Sequence, residues 1–89
     1  MSVNIYWRHI TPETRSALPC GGSAFVSAME RAFGSPPWTL TSEHVERLTG
    51  MMHAYGGHDR DNPYRALLER MYDGSDDHVA HPIEVWTEY

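Results

Sequence analysis

The chain has 89 residues, 40% of them apolar and 21% charged, and a net charge of −5 with the histidines neutral. This length allows one domain, spanning residues 1–89, with a modest core, and the composition is typical of a folded globule. All seven basic residues are arginine, which is typical of a GC-rich bacterial or phage genome. Because the charge balance is acidic, we expect no direct binding of nucleic acid through a basic surface.

Cysteine content and hydropathy bear on the cellular compartment. The chain has a single cysteine, Cys20, so an internal disulfide is excluded. The first five residues lack the basic start and apolar core of a signal peptide. No stretch is long enough to cross a bilayer. We therefore expect a cytoplasmic protein that does not bind membranes.

The first element in chain order is a strand at residues 3–10, where Val3, Ile5 and Trp7 alternate with Asn, Tyr and Arg. This alternation is rich in strand-forming residues and predicts a strand buried on one side. Residues 11–13 read Thr-Pro-Glu, which is typical of a helix start. A helix there would have about two turns, because the next proline and the Cys-Gly-Gly run end it.

Three longer helices are predicted next, from apolar residues at helical spacing. Each follows a residue type that favours the N-cap, and each ends at a glycine. The caps are Ser23, Thr41 and Asn62, and the terminating glycines are Gly34, Gly56 and Gly74. The predicted buried stripes are Phe25, Val26, Met29, Ala32 and Phe33, then Val45, Leu48, Met52 and Tyr55, and then Tyr64, Leu67, Leu68, Met71 and Tyr72.

A last strand is predicted at residues 83–88, where apolar and polar residues alternate again. The two terminal strands are short, and we expect them to pair with each other and to pack against helices. Residues 38–40 can add a short third strand. The predicted fold class is therefore α+β, with a small sheet of two or three strands that includes both chain ends, packed against three helices.

The outward side of the predicted sheet is the main candidate for function. With Val3, Ile5, Trp7 and their counterparts in the last strand facing the helices, aromatic and charged residues face away. Trp, Tyr and Arg are the residue types most often found as binding hot spots. We therefore predict a non-enzymatic interaction module that binds a partner protein or a second copy of itself. The candidate partner-binding residues are Tyr6, Arg8, Glu84, Trp86 and Glu88.

A divalent metal site is the second hypothesis, because the chain has six histidines, several of them beside aspartates in polar loops. Imidazole and carboxylate groups are ligands for zinc and similar ions. The candidate ligands are His58, Asp77, His78 and His81. No two histidines have the His-x-x-x-His spacing that places two ligands on one helix face, so the loops would have to meet in space.

A twelve-residue segment also resembles the calcium loop of the EF-hand family. Asp73, Ser75, Asp77 and Glu84 occupy positions one, three, five and twelve of that loop. The resemblance implies a calcium ion held by these side chains. His78 stands where the family has the glycine of its sharp turn, and the segment after the loop is predicted as a strand instead of a helix.

No catalytic signature is present in the sequence. Cys20 precedes a glycine pair and a predicted helix N-terminus, where the helix dipole can lower a thiol pKa. Position 26 is valine, so the arginine of a phosphate-binding cysteine loop is missing, and we predict a free structural cysteine. The glycine pairs at 21–22 and 56–57 lack the basic residue of a phosphate-binding loop.

The third hypothesis is a phage or mobile-element factor that inhibits a host complex. A small acidic chain without lysine and without a catalytic constellation fits such a factor. Its acidic side chains would then imitate nucleic-acid phosphates. This hypothesis predicts one acidic face on the folded protein.

Overall fold

A computed structural model describes residues 3–10, 14–57, 59–72 and 79–89. These residues form four strands and three helices, with short 3-10 turns before the second and third helices. In chain order the elements are β1 (Asn4–His9), β2 (Ser16–Ala17), α1 (Ser23–Phe33), β3 (Trp38–Leu40), α2 (Val45–Tyr55), α3 (Pro63–Tyr72) and β4 (Ile83–Glu88).

The four strands form one antiparallel sheet in the order β2-β1-β4-β3. The terminal strands pair with each other at its centre along their whole length, from Asn4 opposite Glu88 to His9 opposite Ile83. The predicted α+β class and the pairing of the chain ends are confirmed. The third strand is also confirmed, because Trp38–Leu40 pairs with β4.

The fourth strand, β2, replaces most of the short helix predicted after the first strand. None of residues 14–18 is helical, and Ser16 and Ala17 lie opposite Trp7 and Tyr6 of β1. The predicted helix is therefore wrong over these residues, while its start at residues 11–13 lies outside the described residues. The reason is tertiary: the Leu18 N–H donates to the Ile5 carbonyl at 2.8 Å, which satisfies the free edge of β1.

The N-cap of helix α1 lies one residue earlier than the sequence predicts. Its N-cap is Gly22, and Ser23 is the first helical residue and gives no side-chain cap. Just before it, Gly21 has φ +111°, and a Cβ there would lie 2.9 Å from Ile5 Cδ1. The positive φ therefore favours glycine at the entry to the helix, and any side chain here would also displace the tip of the Ile5 side chain.

Thr41 and Asn62 both act as N-caps, as expected, but Thr41 caps a 3-10 turn that precedes α2 and does not cap α2 itself. Thr41 caps a 3-10 turn at Ser42–His44, and its N–H donates to His44 Nδ1 at 2.9 Å before α2 begins. Asn62 caps α3, because its Oδ1 accepts from the N–H groups of Tyr64 and Arg65. The Asn62 Nδ2 also donates to the Met52 carbonyl at 2.9 Å, which links α3 to α2.

The core lies between the helices and the inner face of the sheet. Ile5, Ile83 and Val85 contribute from the central strands, and Trp38 and Leu40 from β3. Two residues of the predicted helix stripes are exposed, since Tyr55 and Tyr72 at the helix ends are 47% and 40% exposed. They overhang the core, and the prediction for them is wrong. The buried residues from the helices are Phe25, Val26, Met29, Leu48, Pro63, Tyr64, Ala66, Leu67 and Met71.

Candidate functional site: the outer sheet face

The five residues predicted to bind a partner lie together on one side of the sheet. Across β1 and β4, Tyr6 lies opposite Trp86, Arg8 opposite Glu84, and Glu88 opposite Asn4. The described helices place their buried residues in the core on the other side. We call this surface the outer face and define it by Tyr6, Arg8, Arg15, Glu84, Trp86 and Glu88.

The centre of the outer face is an aromatic pair. The rings of Tyr6 and Trp86 stack with their centroids 6.1 Å apart and their planes inclined by 28°. Both residues are partly exposed. Directly opposite aromatic residues of an antiparallel pair stabilise the pairing of the two strands, so the pair fixes β1 against β4 while it remains accessible to solvent.

An arginine covers the tryptophan from one end of the face. The Arg8 guanidinium lies 5.4 Å from the centre of the Trp86 ring. The same group forms an ion pair with Glu84, with Arg8 Nη2 2.8 Å from Glu84 Oε1. The carboxylate thus orients the guanidinium over the ring, and a cation over an indole face is attracted by the ring quadrupole.

A second arginine covers the tyrosine from the other end, and the sequence analysis missed it. The Arg15 guanidinium lies 4.3 Å from the centre of the Tyr6 ring and forms an ion pair with Glu88. Glu88 Oε2 also accepts a hydrogen bond of 3.0 Å from Trp86 Nε1. Arg15 immediately precedes β2, and the pairing of β2 with β1 brings it over the face. The sequence analysis predicted a helix at these residues and therefore did not place Arg15 on the sheet.

The outer face is electrically balanced. It carries two arginines and two glutamates, and each arginine is paired with one glutamate. Exposed pairs of this kind add only about 0–1 kcal/mol each to folding stability. Their main effect is to hold the two guanidinium groups in fixed positions over the rings. The face is therefore amphipathic and uncharged overall, and it does not form the acidic face that a phosphate mimic requires.

A shallow pocket of about 390 Å³ adjoins the face at the edge of β4. β3 pairs with β4 only as far as Val85, and among the described residues no strand lies beside the last residues of β4 on that side. The peptide bond between Pro36 and Pro37, just before β3, is cis. The residues that line the pocket are Arg8, Pro36, Pro37, Glu84, Trp86 and Thr87.

Of the four predicted metal ligands, only His81 is among the described residues. It is exposed, and its backbone N–H donates to the Met71 carbonyl at 2.7 Å. The other three, His58, Asp77 and His78, lie outside the described residues. Within the part of the chain that the structure describes, no three His, Cys, Asp or Glu side chains come together in a group able to hold a metal ion. The metal site stays a prediction.

The segment that resembles a calcium loop is described only at its end. Asp73, Ser75 and Asp77 lie outside the described residues, while Glu84 lies on β4 with its carboxylate bound to Arg8. The segment that follows the loop is a strand, as the sequence predicted. Glu84 therefore belongs to the outer face, and its carboxylate has a cationic partner there.

The single cysteine has an electrostatic environment that opposes ionisation. Burial raises the pKa of the Cys20 thiol above its ordinary value, and the nearby carboxylate of Asp61 raises it further. This rise in the pKa is opposite to the decrease that a helix N-terminus can produce. The thiolate, which is the nucleophilic form, is therefore disfavoured at neutral pH.

Comparisons of the chain with models of known protein families, with curated proteins and with solved structures gave no match. None of the described helices combines the length and the apolar character needed to span a bilayer. A function for the chain is therefore inferred from the residues and geometry of the outer face.

Proposed function

We propose that the protein is a non-enzymatic binding module that uses the outer face to contact another protein, either a different chain or a second copy of itself. The observation that carries this proposal is the stacked, partly exposed Tyr6–Trp86 pair on the side of the sheet opposite the helical core. Large amphipathic rings at the centre of a surface, with arginines beside them, are typical of binding hot spots.

The paired charges support a protein partner. Burying an unpaired charge in an interface is costly, whereas a charge that keeps its partner and its hydrogen bonds is buried at a smaller cost. Arg8 and Arg15 both have carboxylate partners on the outer face already. A partner can therefore cover the face without leaving either guanidinium unpaired.

The pocket beside Trp86 supplies a place for an anchoring side chain. Its walls are the two prolines before β3 and the residues around Trp86. Hot-spot side chains commonly fill such pockets near the centre of an interface. An apolar side chain of the partner would contact the proline rings on one side and the indole on the other.

Location and source are parts of the same proposal. A cytoplasmic site of action is supported by the single cysteine, which cannot form an internal disulfide. The exclusive use of arginine supports a GC-rich bacterial or phage source. The uncharged outer face supports a protein partner over nucleic acid, whose phosphates need a surplus of basic side chains.

The experiment combines self-association with site-specific crosslinking. Sedimentation velocity over a range of concentrations compares the wild type with the double variant Tyr6→Ala/Trp86→Ala and with the control Tyr72→Ala. Tyr72 is an exposed tyrosine on α3. A photoreactive residue placed at Thr39, an exposed residue beside Glu84 on the sheet, reports contact in cell extract, and the same residue at Glu46 on α2 is its control.

We expect an oligomer, or a crosslink from position 39, that the double variant abolishes while Tyr72→Ala retains it. Circular dichroism verifies that the double variant is folded. The proposal fails if the wild type is a monomer at every concentration and positions 39 and 46 give the same crosslinking pattern. It also fails if a folded double variant associates as the wild type does.

A further inference from the structure

The outer face carries its side chains in rows that cross the two central strands. Directly opposite residues of β1 and β4 form three such rows, about 7 Å apart along the strands. With the β1 residue first, the rows are Arg8 with Glu84, Tyr6 with Trp86, and Asn4 with Glu88. We call the first the charged row and the second the aromatic row. In the charged row the positive group is on β1 and the negative group is on β4.

This arrangement is complementary to its own copy under one rotation. A two-fold axis parallel to the strands, between β1 and β4, keeps each row at the same level and exchanges the two strands. Arg8 of one copy then lies opposite Glu84 of the other, and Tyr6 lies opposite Trp86. Sheets that pack face to face keep their strands within about 30° of each other, so rows close to the axis remain opposite. The commonest homo-oligomers are dimers with such a self-complementary contact.

In the charged row the rotation stacks two ion pairs in opposite orientations. Within one copy, Arg8 Nη2 lies 2.8 Å from Glu84 Oε1. Each of the four charges in the stack has an opposite charge beside it and another across the contact, and their attraction strengthens when water is excluded. No charge loses its present partner, which lowers the cost of burying it.

The third row fits the same arrangement. Glu88 of one copy faces Asn4 of the other, and an amide N–H can donate to a carboxylate. Glu88 also keeps its ion pair with Arg15 of its own chain. No like charges are therefore brought together in any of the three rows.

The flanking strands leave room for this contact. The outward residue of β2 is Ala17, beside Tyr6, and that of β3 is Thr39, beside Glu84. Both are small and exposed. The large residues of β3, Trp38 and Leu40, are buried in the core. Because the rotation places β2 of one copy over β3 of the other, no large side chain of either strand lies between the sheets.

Other arrangements of two copies are less favourable. A two-fold axis across the strands, through the aromatic row, places Glu84 of one copy opposite Glu88 of the other, and like charges in contact oppose association. Pairing through a sheet edge uses only the two residues of β2 or the three of β3. So short a ribbon is marginal in water.

We propose that the outer face binds a second copy of this chain, with charged row against charged row and the two-fold axis parallel to β1 and β4. This inference rests on the proposed function and commits it to one partner. The central strands have six residues each and extend about 20 Å, so the contact is at the small end of specific interfaces. We therefore expect association in the micromolar range.

Reversal of single charges in the charged row tests the geometry. Arg8→Glu makes the row entirely negative, and Glu84→Arg makes it entirely positive. Each variant alone is expected to associate at least about tenfold more weakly than the wild type, because like charges then face each other. An equimolar mixture of the two is expected to associate again, because a negative row then faces a positive row.

The double variant Arg8→Glu/Glu84→Arg tests the same geometry with the ion pair inside the chain retained. It is expected to associate with itself as the wild type does. It is not expected to pair with the wild type, because the rotation then places like charges opposite each other. Fluorescently labelled wild type mixed with unlabelled double variant, and the reverse, measure this exclusion.

Sedimentation velocity from about 1 μM to 1 mM measures association, a range that includes weak micromolar dimers. Circular dichroism verifies that each variant is folded. Arg31→Glu, on the exposed side of α1, makes the same charge change as Arg8→Glu outside the outer face. This control is expected to associate as the wild type does.

Weak association of each single variant, recovery in their mixture and exclusion of the wild type by the double variant support the proposal. A wild type that is monomeric up to about 1 mM overturns it. A crosslink from position 39 to a different protein then leaves the proposed function standing, and the absence of such a crosslink ends both. The two-fold geometry is also overturned if the wild type associates but the mixture does not recover, or if the double variant pairs freely with the wild type.

Discussion

The Arg15 guanidinium lies 4.3 Å from the centre of the Tyr6 ring while it is ion-paired with Glu88. This relationship joins β2, β1 and β4 on the outer face, because the three residues come from or directly precede three different strands. It also shows that the shortest strand of the sheet has a role beyond covering an edge. The strand places a guanidinium over one of the two rings that form the centre of the face.

The Arg15 contact gives the first prediction, which concerns stability. Arg15→Gln is expected to lower the free energy of unfolding by about 0.5–1 kcal/mol, the value of a cation–π contact at an exposed site. Urea denaturation monitored by circular dichroism measures the loss. Arg60→Gln, an exposed arginine outside the outer face, is the control and is expected to change stability by less. Equal effects of the two substitutions would mean that the stacking on Tyr6 does not stabilise the sheet.

Two glycines give a second prediction with opposite signs. Gly21→Ala is expected to destabilise the protein by about 1–3 kcal/mol, because φ is +111° and the new Cβ would lie 2.9 Å from Ile5 Cδ1. Gly50→Ala is expected to stabilise it by about 0.5–1 kcal/mol, because Gly50 lies within α2 with no atom near its Cβ position. Thermal and urea unfolding of both variants measure the difference. A stabilising Gly21→Ala would contradict the close approach of the turn to β1.

The Asn62 side chain gives a third prediction. It is 4% exposed and joins the cap of α3 to the Met52 carbonyl at the end of α2. Asn62→Ala is expected to lower the free energy of unfolding by about 1–3 kcal/mol, because the cap is lost and buried groups lose their partners. Asn4→Ala, at an exposed position on β1, is the matched control and is expected to stay within about 0.5 kcal/mol. A loss for Asn62→Ala no larger than for Asn4→Ala would contradict the bridging role.

Alkaline pH gives a fourth prediction, from Cys20. Because the pKa of the thiol is raised in the folded protein, the unfolded chain ionises first, near the ordinary value of 9.0. The thiol therefore stabilises the folded state fully below that pH, and its contribution is lost as pH rises above it. We therefore compare the free energy of unfolding of the wild type with that of Cys20→Ala. The wild-type value minus the variant value is expected to be constant from neutral pH to about pH 8 and to fall above pH 9.

The reactivity of the same thiol is the companion measurement. Alkylation by iodoacetamide proceeds through the thiolate, so its rate on the folded protein is expected to rise at a higher pH than for a free thiol. A rate midpoint below that of free cysteine would mean that the helix N-terminus dominates over burial. The same protein in urea serves as the unfolded reference.

The sequence predicted the elements whose signals are local. The alternation in β1 and β4 and the apolar spacing in α1, α2 and α3 each extend over at least six residues, so a single misleading residue does not change the pattern. The side-chain cap at Asn62 also depends on contacts two and three residues away. Tyr55 and Tyr72 were misplaced because a periodic stripe shows which side of a helix faces inward but not where the core beneath it ends.

The strand β2 and the position of Arg15 were decided by tertiary structure alone. Two residues are too few for a periodic signal, and Thr-Pro-Glu before them favours a helix start. What stabilises the strand is the backbone of β1, which has free hydrogen-bonding groups on that side and accepts the Leu18 N–H at Ile5.

By itself, then, the sequence determined the α+β class, the sides of the terminal strands and five of the six residues of the outer face, because alternation along a strand assigns every residue to one side. Only the tertiary structure decided the order of the strands, the place of Arg15 on the outer face, and the pairing of each guanidinium there with its ring and carboxylate. Those features depend on distances between residues far apart in the chain, and no local pattern specifies such distances.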